Sequence, residues 1–389
     1  MDLYASATVV TAYMAGIGLG AHLSVSLPYP WGHSPLTYAL LQGVIGSFGI
    51  VSVPLFHSTQ PLLAGLHELF FSNSSLFLLL RFLVVFGLML LPATLMGMTL
   101  PILARVGQDR SRAGFARWAG LLYGVNTVGA VAGTLVAGFC LIPWLGLDAT
   151  CRWAGIAVLA VGGAVLWYGR RLLGKAKREV PPTAMATAGP GASREMAWPP
   201  WAVSLPFMLS GMAALIFEMD WFRLLAQIIG PSVHAFSVTL AVYLLGIGLG
   251  SLLAAATVRR ISNPRAALGL GLAYVALAAL GTRLYINELP LLYGRLFLWL
   301  SSDSFTIRIL LIQAAAAALA IIPVTLGLGF LFPLATRACS AGTNPGTDVN
   351  DSHVGGLLFL NTLGGGVGCL LAGFGLLPRL GVSGTLAIT

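Results

Sequence analysis

Residues 126–150 read NTVGAVAGTLVAGFCLIPWLGLDAT, and residues 361–385 read NTLGGGVGCLLAGFGLLPRLGVSGT. The two blocks align without a gap at an offset of 235, with Asn126/Asn361, Gly129/Gly364, Gly133/Gly368, Gly138/Gly373, Phe139/Phe374, Pro143/Pro378, Gly146/Gly381 and Thr150/Thr385 identical. Leu or Ala could coincide by chance in an apolar chain. Asn, Phe, Pro and four Gly in one register do not, so the chain contains an internal structural repeat. Other landmarks follow in the same order. Tyr13 precedes GIGLG at 16–20, and Tyr243 precedes GIGLG at 246–250. PATL from Pro92 with Pro101 answers PVTL from Pro323 with Pro333.

The solvent of this repeat follows from composition. Hydrophobic residues make up 57% and charged residues 8%, and the mean hydropathy is +0.89. Soluble domains carry about 25% charged residues. A chain this apolar cannot cover itself with water-facing side chains, so it uses lipid. With about 20 apolar residues per crossing, ten spans are expected, at roughly 5–24, 34–56, 76–104, 117–142, 151–169, 200–229, 234–257, 265–283, 306–335 and 354–378. The N-terminal Met1-Asp2-Leu3-Tyr4 has no basic stretch, so the first run reads as a retained span, not a signal peptide.

The net charge of +9 does not point to nucleic acid, because the basic residues sit in short loops between apolar runs. One set of loops, including Arg105, Arg110, Lys175, Lys177, Arg259 and Arg260, holds 14 of the 21 basic residues; the opposite set holds six, and Arg223 lies within a span. The positive-inside rule puts the richer set in the cytoplasm. Residues 171–199, a charged cluster followed by PPTAMATAGPGAS, read as a cytoplasmic linker between the halves. The domains expected are 1–170, a first membrane repeat without its first helix; 171–199, the linker; and 200–389, a second repeat without its last helix. Six crossings separate equivalent spans, so the copies run parallel, as in two-half transporters. The outer loops 57–75 and 284–304 hold amphipathic, aromatic LLAGLHELFF and LPLLYGRLFLWL, expected to lie in the headgroup region.

Chemistry concentrates in the sixth span, LSGMAALIFEMDWFRLLAQIIG, which contains Glu218, Asp220 and Arg223. Ionisable residues at such depth pair, face a cavity or mark a pathway. Asp220 and Arg223 are i, i+3 and are expected to pair within the helix, as an ion relay or as a staple for the bundle. Glu218 is five residues from Arg223, about 140° around the helix, and is expected to face a different neighbour or cavity. Asn126, Asn361, Tyr13 and Tyr243 are repeat-related candidates for interface or solute contact. The GxxxG pairs serve close helix packing. The four prolines Pro92, Pro101, Pro323 and Pro333 are expected to kink their helices. The run LGGGVG at 363–368 is not a nucleotide loop, because it sits in an apolar span with VGAVAG as its repeat partner. Cys140, Cys151, Cys339 and Cys369 have no CxxC spacing, and the six histidines show no metal-site spacing. No metal, cofactor or soluble catalytic unit is expected.

The runs SGMAALIFEMDWFRLL and HAFSVTLAVYLLGIGLGSLLAA, with the twin blocks above, resemble the membrane region of spermidine-synthase-like proteins, the fused major-facilitator/spermidine synthases. The resemblance covers nearly the whole chain and is most specific over 210–253. It implies an all-α polytopic membrane protein of about ten helices, with a major-facilitator-like arrangement of two parallel repeats. It departs from the family in three ways: the first helix, with a tryptophan-arginine signature, is absent; Asp220 stands at an apolar position; and the cytosolic aminopropyltransferase domain is missing. The expected function is a transporter-like protein for polyamines or other cationic solutes, working by alternating access, with Glu218 and Asp220 binding the cation and Arg223 as counter-ion. Two alternatives stand beside it. One is the membrane portion of an aminopropyltransferase whose catalytic domain lies elsewhere. The other is a scaffold subunit, in which a partner helix replaces the missing one at an apolar gap beside spans one and six. The expected location is a bacterial inner membrane.

Overall fold

The computed structural model describes residues 3–27, 34–70, 74–106, 112–176, 201–230, 232–300, 305–340 and 350–388. The described residues are almost all helical, with no strand among them. The helices are α1 (Leu3–Val25), α2 (Pro35–Ser58), α3 (Gln60–Leu69), α4 (Ser74–Val106), α5 (Arg112–Val136), α6 (Ile142–Ala176), α7 (Trp201–Ile229), α8 (Val233–Thr257), α9 (Pro264–Tyr285), α10 (Leu289–Trp299), α11 (Phe305–Ser340), α12 (Asn350–Leu370) and α13 (Leu377–Ile388). Their starts are written locally. The Ser34 hydroxyl accepts from the Leu36 amide ahead of Pro35, Ser232 accepts from Ala235 at 3.0 Å, and Asn263 accepts from Ala266 at 3.2 Å ahead of Pro264.

Nine stretches among the described residues are long and apolar enough to cross a bilayer. Leucines such as Leu270, Leu277 and Leu284 are 68% or more exposed along α9. A surface of that kind is stable only against hydrocarbon, where the helix satisfies its own backbone. The protein is an all-α integral membrane protein.

One stretch, Arg117–Tyr168, is 52 residues long. Straight, it would measure about 78 Å against a hydrocarbon core of about 30 Å. Two features break it. The helix widens into a π turn over Ala137–Leu141, and the backbone turns at Gly146, where φ is 78° and ψ 172°. This accounts for two expected spans within one stretch. Both features recur 235 residues later: a π turn over Leu371–Leu376 and Gly381 at φ 65°, ψ −178°. The cause is shared. Pro143 and Pro378 have no amide proton, and their rings crowd the carbonyl four residues back, so the preceding turn opens. That φ/ψ combination is open only to glycine. Beyond it, Thr150 donates to the Gly146 carbonyl at 2.6 Å and Thr385 to the Gly381 carbonyl at 2.7 Å.

Packing follows the glycines. On α1, a side chain at Gly20 would strike the Thr94 carbonyl of α4, and one at Gly97 would strike the Ile17 backbone. On α8, Gly250 meets the Leu326 carbonyl of α11, and Gly329 meets the Ile247 backbone. α1 therefore crosses α4 as α8 crosses α11. Across the middle, Gly18 of α1 faces Thr362 of α12, and Gly248 of α8 faces Thr127 of α5. Ser251 adds a hydrogen bond to the Gly120 carbonyl at 2.8 Å. α2 meets α6 backbone to backbone at Gly46 and Gly155.

α3 and α10 form in the two loops expected to lie in the headgroup region. Leu62 and Leu69 of α3 and Leu298 and Trp299 of α10 stand exposed. Arg308 at the start of α11 lies 4.1 Å over the Phe297 ring of α10. Pro92 and Pro101 lie inside α4, and Pro323 and Pro333 inside α11, with the helix continuous through each. α6 runs on to Ala176, into the first residues of the expected linker. Its remainder, 177–199, lies outside the described residues.

Candidate functional site

Helices α1, α2, α4, α5, α6, α7, α8, α11 and α12 line a central cavity of about 1530 Å³. On α7 the lining residues are Phe207, Ser210, Gly211, Ala214, Leu215, Glu218, Met219, Phe222, Arg223, Ala226 and Gln227. Steps of three and four residues define one face of a helix, and Asp220 falls off it.

This corrects the expected pairing. Asp220 is 0% exposed, does not line the cavity, and has no hydrogen-bond partner on either carboxylate oxygen. Arg223 lines the cavity and is exposed there, and the two make no ion pair. An i, i+3 spacing permits a pair only if both side chains lean the same way. Here the helix turns Asp220 into the protein and Arg223 toward the open space. Glu218, expected to face elsewhere than Arg223, shares the cavity with it, because the cavity is wide enough to span both directions.

Glu218 is half-buried. The Tyr243 hydroxyl faces its carboxylate and donates to the Ala214 carbonyl at 3.2 Å. Tyr13 lies within electrostatic range of the same carboxylate. Both tyrosines line the cavity. They stand at matching positions of the sequence repeat, Tyr13 on α1 and Tyr243 on α8, and approach one acid on α7 from two different helices. Further aromatic surface surrounds them: Tyr123 against Phe332 at 5.0 Å and Phe222 stacked on Phe236 at 4.7 Å. Ring faces of this kind attract cations. Tyr123 was not singled out in the sequence, nor were Tyr38 and Gln42, whose amide donates to the tyrosine hydroxyl at 2.7 Å. Their signal was a polar residue in an otherwise apolar span.

Asn126 and Asn361 both line the cavity, but they differ. The Asn361 amide donates to the Phe207 carbonyl of α7 at 2.9 Å. Beside it, a side chain at Gly364 would meet the Met208 carbonyl and one at Gly368 the Met212 carbonyl, so α12 is seated on α7. On α5, Asn126 is exposed, and nothing lies within 4 Å of a side chain built at Gly129 or Gly133. An open face is thus present on α5, the fourth expected span.

The four cysteines are free. No group of three or more potential metal ligands occurs among the described residues. Comparison with known proteins returns no matching family model and no matching curated protein.

Proposed function

We propose that the chain is a transporter-like membrane protein that binds an amine-bearing solute at Glu218 in the central cavity and exposes it to the two sides in turn. The observation that carries this is a carboxylate deep in a span, on the wall of a cavity of about 1530 Å³, with no ion pair among the described residues. An acid at that depth, open to a cavity, favours a mobile cation. Ringed by tyrosines, it suits an ammonium group.

The proposal includes two parallel repeats in a major-facilitator-like arrangement, with the linker cytoplasmic. Its support is the recurrence of the π turn, the Gly146 and Gly381 bends and both helix crossings at matching positions. Smooth glycine faces between α1 and α12, and between α5 and α8, suit halves that rock around a fixed site. The likeness to spermidine-synthase-like membrane regions makes polyamines the first amines to try, and a bacterial inner membrane the first location.

The test is thermal stabilisation of the purified protein by putrescine and spermidine, beside Glu218→Gln. Binding in the parent, weakened about tenfold or more in the variant, is expected, since hydrogen bonds to charged groups contribute about 1.5–3 kcal/mol. Equal behaviour of both proteins would remove Glu218 from the site.

One observation favours a second reading, a subunit of a larger assembly. The bare α5 face carries the residue types, Asn126, Gly129 and Gly133, that seat α7 on α12. A partner transmembrane helix would fit there. Cysteine cross-linking from Gly133→Cys in native membranes tests it, and no adduct beyond lipid-exposed controls would sink it.

A further inference from the structure

Among the described residues, Glu218 and Arg223 are the sole charged side chains on the cavity wall. They stand on one helix, five residues apart, so their Cα atoms are separated by about 7.5 Å along the axis. Arg223 makes no hydrogen bond or ion pair among the described residues; its nearest acid in sequence, Asp220, lies within electrostatic range of it but off the cavity wall, with both oxygens lacking a hydrogen-bond partner. A guanidinium within a membrane span with no anion hydrogen-bonded to it invites one, and this one, exposed to the cavity, opens onto the same space as a carboxylate that makes no ion pair among the described residues.

Resting on the reading of this cavity as a solute site, we propose that the solute is a zwitterion. Its ammonium group sits at Glu218 and its carboxylate on Arg223, the two joined by a short carbon chain. The charge balance favours this over a simple polyamine. The wall carries one negative and one positive group, so a solute of zero net charge leaves no uncompensated charge in a low-dielectric space. A diamine long enough to reach along α7 would bring its second ammonium toward the guanidinium, where like charges repel and discriminate against it. A carboxylate at the same end meets a planar fork that can hold both its oxygens. The aromatic surface of Tyr123, Phe222 and Phe236 would cover the carbon chain.

The experiment uses the full chain in detergent or nanodiscs. Affinities are measured by calorimetry for ω-amino acids of three to six carbons, for diamines of equal length and for succinate. In the parent, one ω-amino acid binds at least about tenfold tighter than the diamine of the same length. Arg223→Gln lowers that affinity about tenfold or more, and Arg223→Lys restores part of it. Diamine affinity holds or rises in Arg223→Gln, whereas Glu218→Gln weakens both classes. Diamines binding as well as amino acids in the parent would overturn the zwitterion and leave the amine site standing. Binding of none of the probes would overturn both. The ranking in the parent needs no variant, so a variant that fails to fold does not remove the test.

Discussion

A methyl group added at Gly368 and one added at Gly133 are the same perturbation at repeat-related positions, and the structure gives them opposite outcomes. At Gly368 the new Cβ strikes the Met212 carbonyl, with Met212 Cα and carbonyl carbon close behind. All three are backbone, so no rotamer change relieves the clash, and α7 must move away from α12. Overpacking of this kind costs about 1–3 kcal/mol. At Gly133 nothing lies within 4 Å, and the substitution keeps only the helix-forming advantage of alanine, about 0.8–1 kcal/mol. That advantage applies at both sites, so it cancels in the comparison. Gly368→Ala is therefore expected to be less stable than Gly133→Ala by about 1–3 kcal/mol. Asn361→Ala and Asn126→Ala should separate in the same sense by about 1 kcal/mol, since Asn361 alone holds the Phe207 carbonyl. The assay is reversible unfolding in mixed micelles of increasing SDS fraction, followed by tryptophan fluorescence. Equal destabilisation by the two alanines would show that the α5 face is covered. A neutral Gly368→Ala would refute the α7–α12 packing itself.

Gly146→Ala and Gly381→Ala should each cost about 1–3 kcal/mol, because both force a side chain into a backbone region open to glycine. The same unfolding assay measures this, and a cost at one site alone would break the equivalence of the two bends. Ser251→Ala removes the hydrogen bond from α8 to the Gly120 carbonyl. It should cost about 0.5–1.5 kcal/mol without changing helix content by circular dichroism; no cost would mean the two helices do not meet there. Asp220→Asn should leave solute affinity within about twofold and should not lower stability, since a buried unpartnered carboxylate is itself unfavourable. A large loss of binding in calorimetry would return Asp220 to the site.

The amino-acid sequence discloses what is periodic and local, and conceals what depends on which way a helix turns. The offset of 235 paired Pro143 with Pro378 and Gly146 with Gly381, but that both pairs bend the chain is seen only in the structure; it is the same at both sites because Pro and Gly act on their own backbone wherever they stand. It also marked the glycines that let α1 reach α4 and α8 reach α11. It could not say that Asp220 points away from Arg223. Three residues of spacing fix 300° of rotation, but not whether both side chains fall on the open or the packed side. The repeat resolves this once neighbours are known. The α7 face that meets α12 is fixed by Met208 and Met212. The face that meets the cavity contains Glu218 and Arg223. Asp220 is left on a third side. The same reasoning explains why α5 and α12 share a motif and not an environment. Asn, Gly and Gly at matched positions prepare a face for a neighbouring helix, but the neighbour belongs to another part of the fold. α12 has α7 against it, and the equivalent residues of α5 have open space. The motif therefore records a contact that one half makes and the other half offers.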